Sequence, residues 1–131
     1  MTTELTYLAL TLTLALMQVF LPAGARTAEF GSKWNAGPRD ETPAARKPLT
    51  GRLERAQANL FETLPIFIGA VLVAHVIGAA GALTLWGTAL YFWARVVYVP
   101  LYALGVAYVR SLVWVVSLAG LVMILASLFL I

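Results

Sequence analysis

Two ionisable residues stand inside long apolar stretches of this chain, Glu62 and Arg95. An ionised side chain in hydrocarbon costs several kcal/mol, so such residues face protein or water and mark candidate sites. Around the first, Arg55, Asn59 and Glu62 are spaced i, i+4, i+7, which on a helix places them on one face. Tyr91, Arg95, Tyr98 and Tyr102 are spaced i, i+4, i+7, i+11 and share a face as well. Pro100 lies beside that stripe and is expected to bend the helix locally. Arg110, Ser111 and Trp114 open the last apolar stretch.

Brought together, these residues would offer three cations (Arg55, Arg95, Arg110), a carboxylate (Glu62) and neutral donors (Asn59, Tyr98, Tyr102, Ser111). Guanidinium forks take carboxylates bidentately, and a carboxylate accepts from an ammonium. The set suits a small anionic or zwitterionic ligand with several carboxylates. The plainer reading is structural: Glu62 and Arg95 pair to hold the protein together, and the tyrosines belong to an interfacial belt. His75 has no second histidine and no cysteine to share a metal, so a packing role is expected of it and no metal site is expected. Trp34, Trp86, Trp93 and Trp114 read as packing or interface anchors. Nucleotide loops, nucleophile elbows and zinc motifs are absent from the sequence.

The elements that must position these residues follow from composition. Of 131 residues, 61% are hydrophobic and 11% charged, and the mean hydropathy is +0.86. A soluble domain carries about 25% charged residues, so the chain is read as a membrane protein. Its formal charge of +3 then reports topology, and no nucleic acid partner is expected. With no cysteine, disulfides, thiolate metal sites and cysteine catalysis are excluded.

Seven of the nine cations, Arg26, Lys33, Arg39, Arg46, Lys47, Arg52 and Arg55, lie in one stretch. The rest divides into apolar spans at Leu5–Gly24, Leu60–Ala80, Leu83–Tyr108 and Leu112–Ile131, each near the roughly 20 residues of a membrane helix. Leu and Ala content and span length favour helices over strands. The expected fold is all-α: four transmembrane helices at about 5–24, 58–80, 83–108 and 111–131 in an up-down bundle, within a single domain covering 1–131. Gly78-Ala79-Ala80-Gly81 marks a tight turn. The segment 25–52 holds Pro38, Pro43, Pro48, Gly31, Gly37 and Gly51 and is expected to be an irregular loop. Ala23-Gly24-Ala25 resembles a signal-peptidase site, but the preceding stretch carries Glu4 and no cation, so the first span is expected to be retained. Every Lys or Arg outside a span falls on one face of the membrane by helix parity. The loop is therefore expected to be cytoplasmic, with both termini periplasmic or lumenal.

The run from Glu54 to Phe67, containing Arg55, Asn59, Glu62 and Pro65, resembles the signature of the MAPEG family, the membrane-associated proteins in eicosanoid and glutathione metabolism. Length, helix pattern, the stretch from Arg95 to Arg110-Ser111 and the loop segment Trp34–Glu41 are similar too, the last to bacterial members. The resemblance spans essentially the whole chain. It implies a homotrimer in a bacterial inner membrane, with sites between subunits and glutathione as co-substrate. The partners implied are a second and third copy of the chain, membrane lipid and a small hydrophobic substrate. Asn59 and Glu62 would hold glutathione, Glu62 near its amino group. Arg26, Arg55, Arg95, Tyr98 and Tyr102 would line the site. Arg110 would stabilise the thiolate, with Ser111 beside it. Three positions depart from the pattern. Ala58 replaces a basic residue of the eicosanoid enzymes, Trp114 replaces a tyrosine, and Pro65 comes one position early. Two functions are consistent with this: a glutathione-dependent transferase or peroxidase, and a non-catalytic protein that binds lipid or a partner, as the family's lipoxygenase-activating protein does.

Overall fold

A computed structural model describes residues 1–40 and 47–130; the expected loop residues Pro43 and Arg46 lie outside the described residues. The described residues form five helices and no strand: α1 Thr3–Phe30, α2 Ser32–Ala36, α3 Pro48–Ile77, α4 Ala82–Ala103 and α5 Tyr108–Phe129. Three of them, α1, α3 and α5, are long and apolar enough to cross a membrane. Only 28–33% of the residues in their most apolar windows are buried, so most of that apolar surface faces outward, as lipid or a second copy requires. Helix α4 is also 22 residues long.

The long helices begin and end on local signals. Thr2 caps α1, its hydroxyl accepting from the Leu5 amide at 3.1 Å, with Glu4 in the first turn. The stop is Gly31, at φ 91°, rather than the expected Gly24. A glycine inside a helix costs only about 1 kcal/mol relative to alanine, and α1 runs on past it for six residues. At 28 residues α1 is about 42 Å long, more than a hydrocarbon core of about 30 Å, so its last turns project beyond the apolar layer. The same holds for α3, which starts at Pro48, ten residues before the expected boundary. Proline is favoured in the first helical turn, and the charged turn Arg52–Arg55 is tolerated because it extends into the interface. The expected irregular loop contains α2, where the Asn35 amide donates to Thr27 Oγ1 at 2.9 Å. The Lys47 backbone N–H donates to Glu29 Oε1, tying the start of α3 to the end of α1.

The turn at Gly78–Gly81 is as expected. Gly78 takes φ 73° and the Ala79 amide returns to the Ala74 carbonyl at 2.8 Å, closing α3. Helix α4 runs through Pro100 but ends at Ala103, and residues 104–107 connect it to α5. Arg52 Nη1 donates to the Ala103 carbonyl at 3.5 Å, placing a cation at the negative end of α4.

The core forms where Leu8 and Ala15 of α1, Leu60, Leu64, Phe67 and Val71 of α3, Tyr91 of α4 and Leu121 and Ile124 of α5 meet. Phe67 and Tyr91 stack at 4.1 Å between centroids. The most extensive interface is α4 on α5. A Cβ at Gly87 would lie 2.7 Å from the Gly120 carbonyl oxygen, and one at Gly120 would lie 2.6 Å from the Gly87 carbonyl oxygen. The two backbones touch there, the close approach that small residues allow between membrane helices.

Candidate functional site

Helix α4 carries one polar stripe along its buried side: Thr84, Thr88, Tyr91, Arg95 and Tyr98 are all buried. Each is taken up differently. Thr84 Oγ1 donates to Glu4 Oε1 at 2.9 Å, and Tyr91 shares a 2.8 Å hydrogen bond with Thr63 of α3. Arg95, only 1% exposed, donates from Nη1 to Asn59 Oδ1 at 2.8 Å. The expected Glu62–Arg95 pair does not form within the chain. Glu62 lies close enough to act electrostatically on Arg95 and Tyr98, yet its side chain is on the exposed outer face of α3. Spacing alone puts Asn59 and Glu62 on one face of α3. The half-buried amide of Asn59, not the exposed carboxylate of Glu62, is the hydrogen-bond partner of Arg95.

At the end where α4 gives way to α5, three guanidinium groups gather on two tyrosine rings. Arg95 lies 4.4 Å from the Tyr98 centroid. Arg110 lies 4.5 Å from the Tyr102 centroid. Arg55 lies 5.9 Å from that same ring and donates from Nε to the Tyr102 hydroxyl at 3.2 Å. Among the described residues, none of these arginines is in a salt bridge. Cation–π contact offsets part of the cost of holding them together, and Glu62, which acts on Arg95 from nearby, forms no ion pair with it. Asn59, Tyr98, Tyr102, Arg110, Ser111 and Trp114 line an open cleft of about 260 Å³ at this point. Arg110 and Ser111 sit in the first turn of α5, whose N-terminus adds partial positive charge. The cleft is built to attract an anion.

Of the residues expected at the site, Asn59, Tyr98, Tyr102, Arg110 and Ser111 meet in this cleft. Arg55 reaches it through Tyr102, and Arg95 stands behind it through Asn59. Arg26 does not join them; it pairs with Glu54 at 3.4 Å across α1 and α3. Glu62 is exposed and does not line the cleft. His75 lies toward the other end, beside a cavity of about 10 Å³ lined also by Glu4, Thr84 and Thr88, room for one water. Among the described residues no cluster of three or more His, Asp or Glu could hold a metal. Trp34 packs against Phe30 at 4.8 Å and under the Arg39 guanidinium, while Trp86 and Trp93 are exposed on the apolar surface. A reading keyed to formal charge passes over Gln18, which is buried in α1, and Thr63, the partner of Tyr91.

The helices and this cleft define an all-helical integral membrane protein with a cationic site at one end. The model of the MAPEG family matches residues 7–130, and the chain belongs to that family. Neither the curated proteins nor the solved structures gave a match to the chain.

Proposed function

We propose that the protein is a membrane enzyme that binds glutathione in the cleft and uses its thiolate on a hydrophobic substrate. The observation that carries the reading is the set of three guanidinium groups on Tyr98 and Tyr102, none of them in a salt bridge among the described residues, with Arg110 lining the cleft beside Asn59 and Ser111. Glutathione brings two carboxylates and a sulfur that must ionise to react. A free thiol has a pKa of about 8.5, and a nearby cation favours the thiolate. Arg110 supplies that cation and Ser111 a hydrogen-bond donor beside it. In transfer, the sulfur forms a bond to an electrophilic carbon as the leaving group departs with its electron pair. In peroxide reduction, the sulfur takes one oxygen as a sulfenic acid and displaces an alkoxide, which takes a proton from solvent to leave as the alcohol; a second glutathione then converts the sulfenic acid to the disulfide and water. In both cases the thiol proton passes to solvent at the mouth of the cleft. Lipid-soluble substrates reach the cleft sideways from the bilayer.

The working unit in this reading is a homotrimer of four-helix, up-down protomers, with α4 as the fourth span. Supporting it, Glu62 lies on an exposed face within an otherwise apolar stretch of α3, where a carboxylate against lipid would cost several kcal/mol. A second copy covering that face removes the cost and completes the site with a carboxylate. The concentration of cations in 26–55 supports a cytoplasmic cleft and lumenal or periplasmic termini. A non-catalytic lipid-binding role is the second reading. It is favoured by Trp114, which lines the cleft with an apolar ring, and by the uncharged Ala58 next to Asn59.

Calorimetric titration of the purified protein in detergent with glutathione tests the proposal. Saturable heat, absent with the cationic diester in which both carboxylates are blocked and only the ammonium remains, is expected. No heat in the millimolar range would give the second reading the field.

A further inference from the structure

Helix α4 ends on a glycine that a side chain of α3 covers. The Leu104 amide returns to the Pro100 carbonyl, the Gly105 amide to the Tyr102 carbonyl and the Val106 amide to the Leu101 carbonyl, each at 3.0 Å. Gly105 takes φ 73°, so the chain turns away in the glycine-closed motif that satisfies the last carbonyls of a helix. The Ala103 carbonyl, next in line, is taken by Arg52 Nη1 at 3.5 Å. The same guanidinium lies on Gly105. A Cβ there would stand 2.9 Å from Cζ, 2.9 Å from Nη2 and 3.2 Å from Nη1 of Arg52, near-equal distances that put it over the face of the group. Backbone conformation asks for glycine at this position, and Arg52 fills the space that the missing side chain leaves.

This end of α4 sets out the cleft. Tyr102, whose carbonyl holds the Gly105 amide, carries the Arg110 guanidinium 4.5 Å from its ring centroid. Only residues 104–107 separate α4 from α5, and Arg110 follows Gly105 by five positions. The direction in which the chain leaves Gly105 therefore decides where the first turn of α5 falls. Arg52 itself does not line the cleft, and among the described residues it forms no salt bridge. The plainer role for a cation here is to cap the negative end of α4. A cap needs only the carbonyl, whereas Arg52 also covers the turn.

We infer that Arg52 is a positioning residue: clamped from α3 onto the turn at Gly105, it holds the α4–α5 connection so that Arg110 stays over Tyr102 at the cleft. The placement of Arg110 is a property of the chain alone; what it does for a bound ligand rests on the glutathione reading. A guanidinium suits the task because it is planar and rigid. One N–H meets the Ala103 carbonyl in the plane while the face of the group lies on the glycine. The clamp reaches the connection from a helix distant in sequence, so α5 cannot swing its first turn away from α4 without breaking it.

The test uses full-length protein, labelled with ¹⁵N-arginine, in lipid nanodiscs. The Arg110 Nε–H signal is assigned by its loss in Arg110→Lys, and Tyr102→Leu gives its position without the ring. A proton over an aromatic ring is shifted upfield, so the wild-type signal is expected upfield of that reference. In Arg52→Ala it should move toward the reference. Gly105→Ala approaches the clamp from the other side: its methyl meets the end of a flexible side chain and displaces the guanidinium, so the signal should move the same way with Arg52 still present. The double variant should move it no further than Arg52→Ala does. A signal unmoved in Arg52→Ala, or shifts in the two single variants that add in the double, overturns the clamp. Calorimetry on the same proteins reads the consequence for the ligand. Arg52→Ala should weaken glutathione about 5-fold or more, the size of losing one hydrogen bond. Unchanged affinity with a displaced Arg110 signal removes Arg52 from the site. A wild type that binds no glutathione overturns the functional reading, while the Arg110 signal still decides the clamp by itself.

Discussion

The Arg110 guanidinium lies over the ring of Tyr102, 4.5 Å from its centroid, while Arg55 donates to the hydroxyl of the same ring. One tyrosine of α4 thus ties the first turn of α5 to α3. It fixes the cation nearest the connection between the two helices at the place where a ligand would enter.

A fixed cation beside a thiol lowers its pKa, so the thiolate of bound glutathione is expected to persist below the ordinary value of about 8.5. Arg110→Ala should return the ionisation toward that value. It should slow turnover about 100-fold or more, with a smaller loss of affinity, the pattern of removing a preorganised charge. The ultraviolet absorbance of bound thiolate, followed against pH in wild type and variant, measures it. Superimposable titrations would leave Arg110 as an interfacial anchor only.

The contact between Gly87 and Gly120 fixes how closely α4 and α5 approach. A methyl group at either position would fall within 2.7 Å of a backbone oxygen of the facing helix, and backbone cannot turn aside as a side chain does. Gly120→Ala is expected to destabilise the protein by about 1–3 kcal/mol, the range for overpacking. Gly24→Ala, where nothing lies within 4 Å, should be neutral or mildly stabilising. Thermal denaturation in detergent compares the two, and equal shifts would show that the α4–α5 approach is not the constraint.

Much of this site is legible in the sequence because helical spacing is rigid. Tyr91, Arg95, Tyr98 and Tyr102 share a face as their spacing requires, and Asn59 meets that face. Helix ends are less legible. Gly24 and the charged turn at Arg52–Arg55 look like breaks to a reading that equates a membrane helix with its apolar core, whereas α1 and α3 run past the hydrocarbon layer until Gly31 and Pro48 stop them. The partner of Arg95 is not legible either, since Asn59 and Glu62 are three residues apart on one face and only their difference in burial separates them. Gln18 is an uncharged amide in an apolar run, and its burial comes entirely from what surrounds it.

The proposed orientation rests on the clustered cations and is tested with single cysteines, since the chain has none of its own. Ser32→Cys, exposed on α2, should resist an impermeant thiol reagent in intact cells and react once the membrane is opened. Ala82→Cys, exposed at the start of α4, should react in intact cells. The opposite pattern would place the cleft on the outer face.

The Asn59–Arg95 contact is the one direct hydrogen bond that Arg95 makes to another side chain among the described residues, and it joins α3 to α4 at the back of the cleft. A hydrogen bond to a charged group contributes about 1.5–3 kcal/mol, and burial keeps solvent from screening it. Asn59→Ala should therefore destabilise the protein and leave the guanidinium without its amide. Arg95→Met removes the charge and keeps much of the apolar stem. If the bond is worth what its geometry indicates, the double variant should be more stable than the sum of the two losses predicts, by about 1.5–3 kcal/mol. Were Glu62 instead the principal partner of Arg95, the larger coupling would appear in the Glu62→Gln, Arg95→Met cycle. Running both cycles on thermal stability in detergent, and again in nanodiscs where a second copy can cover Glu62, separates a partner within the chain from one across a subunit boundary. Additive losses in the Asn59–Arg95 cycle under both conditions would show that the amide only fills space.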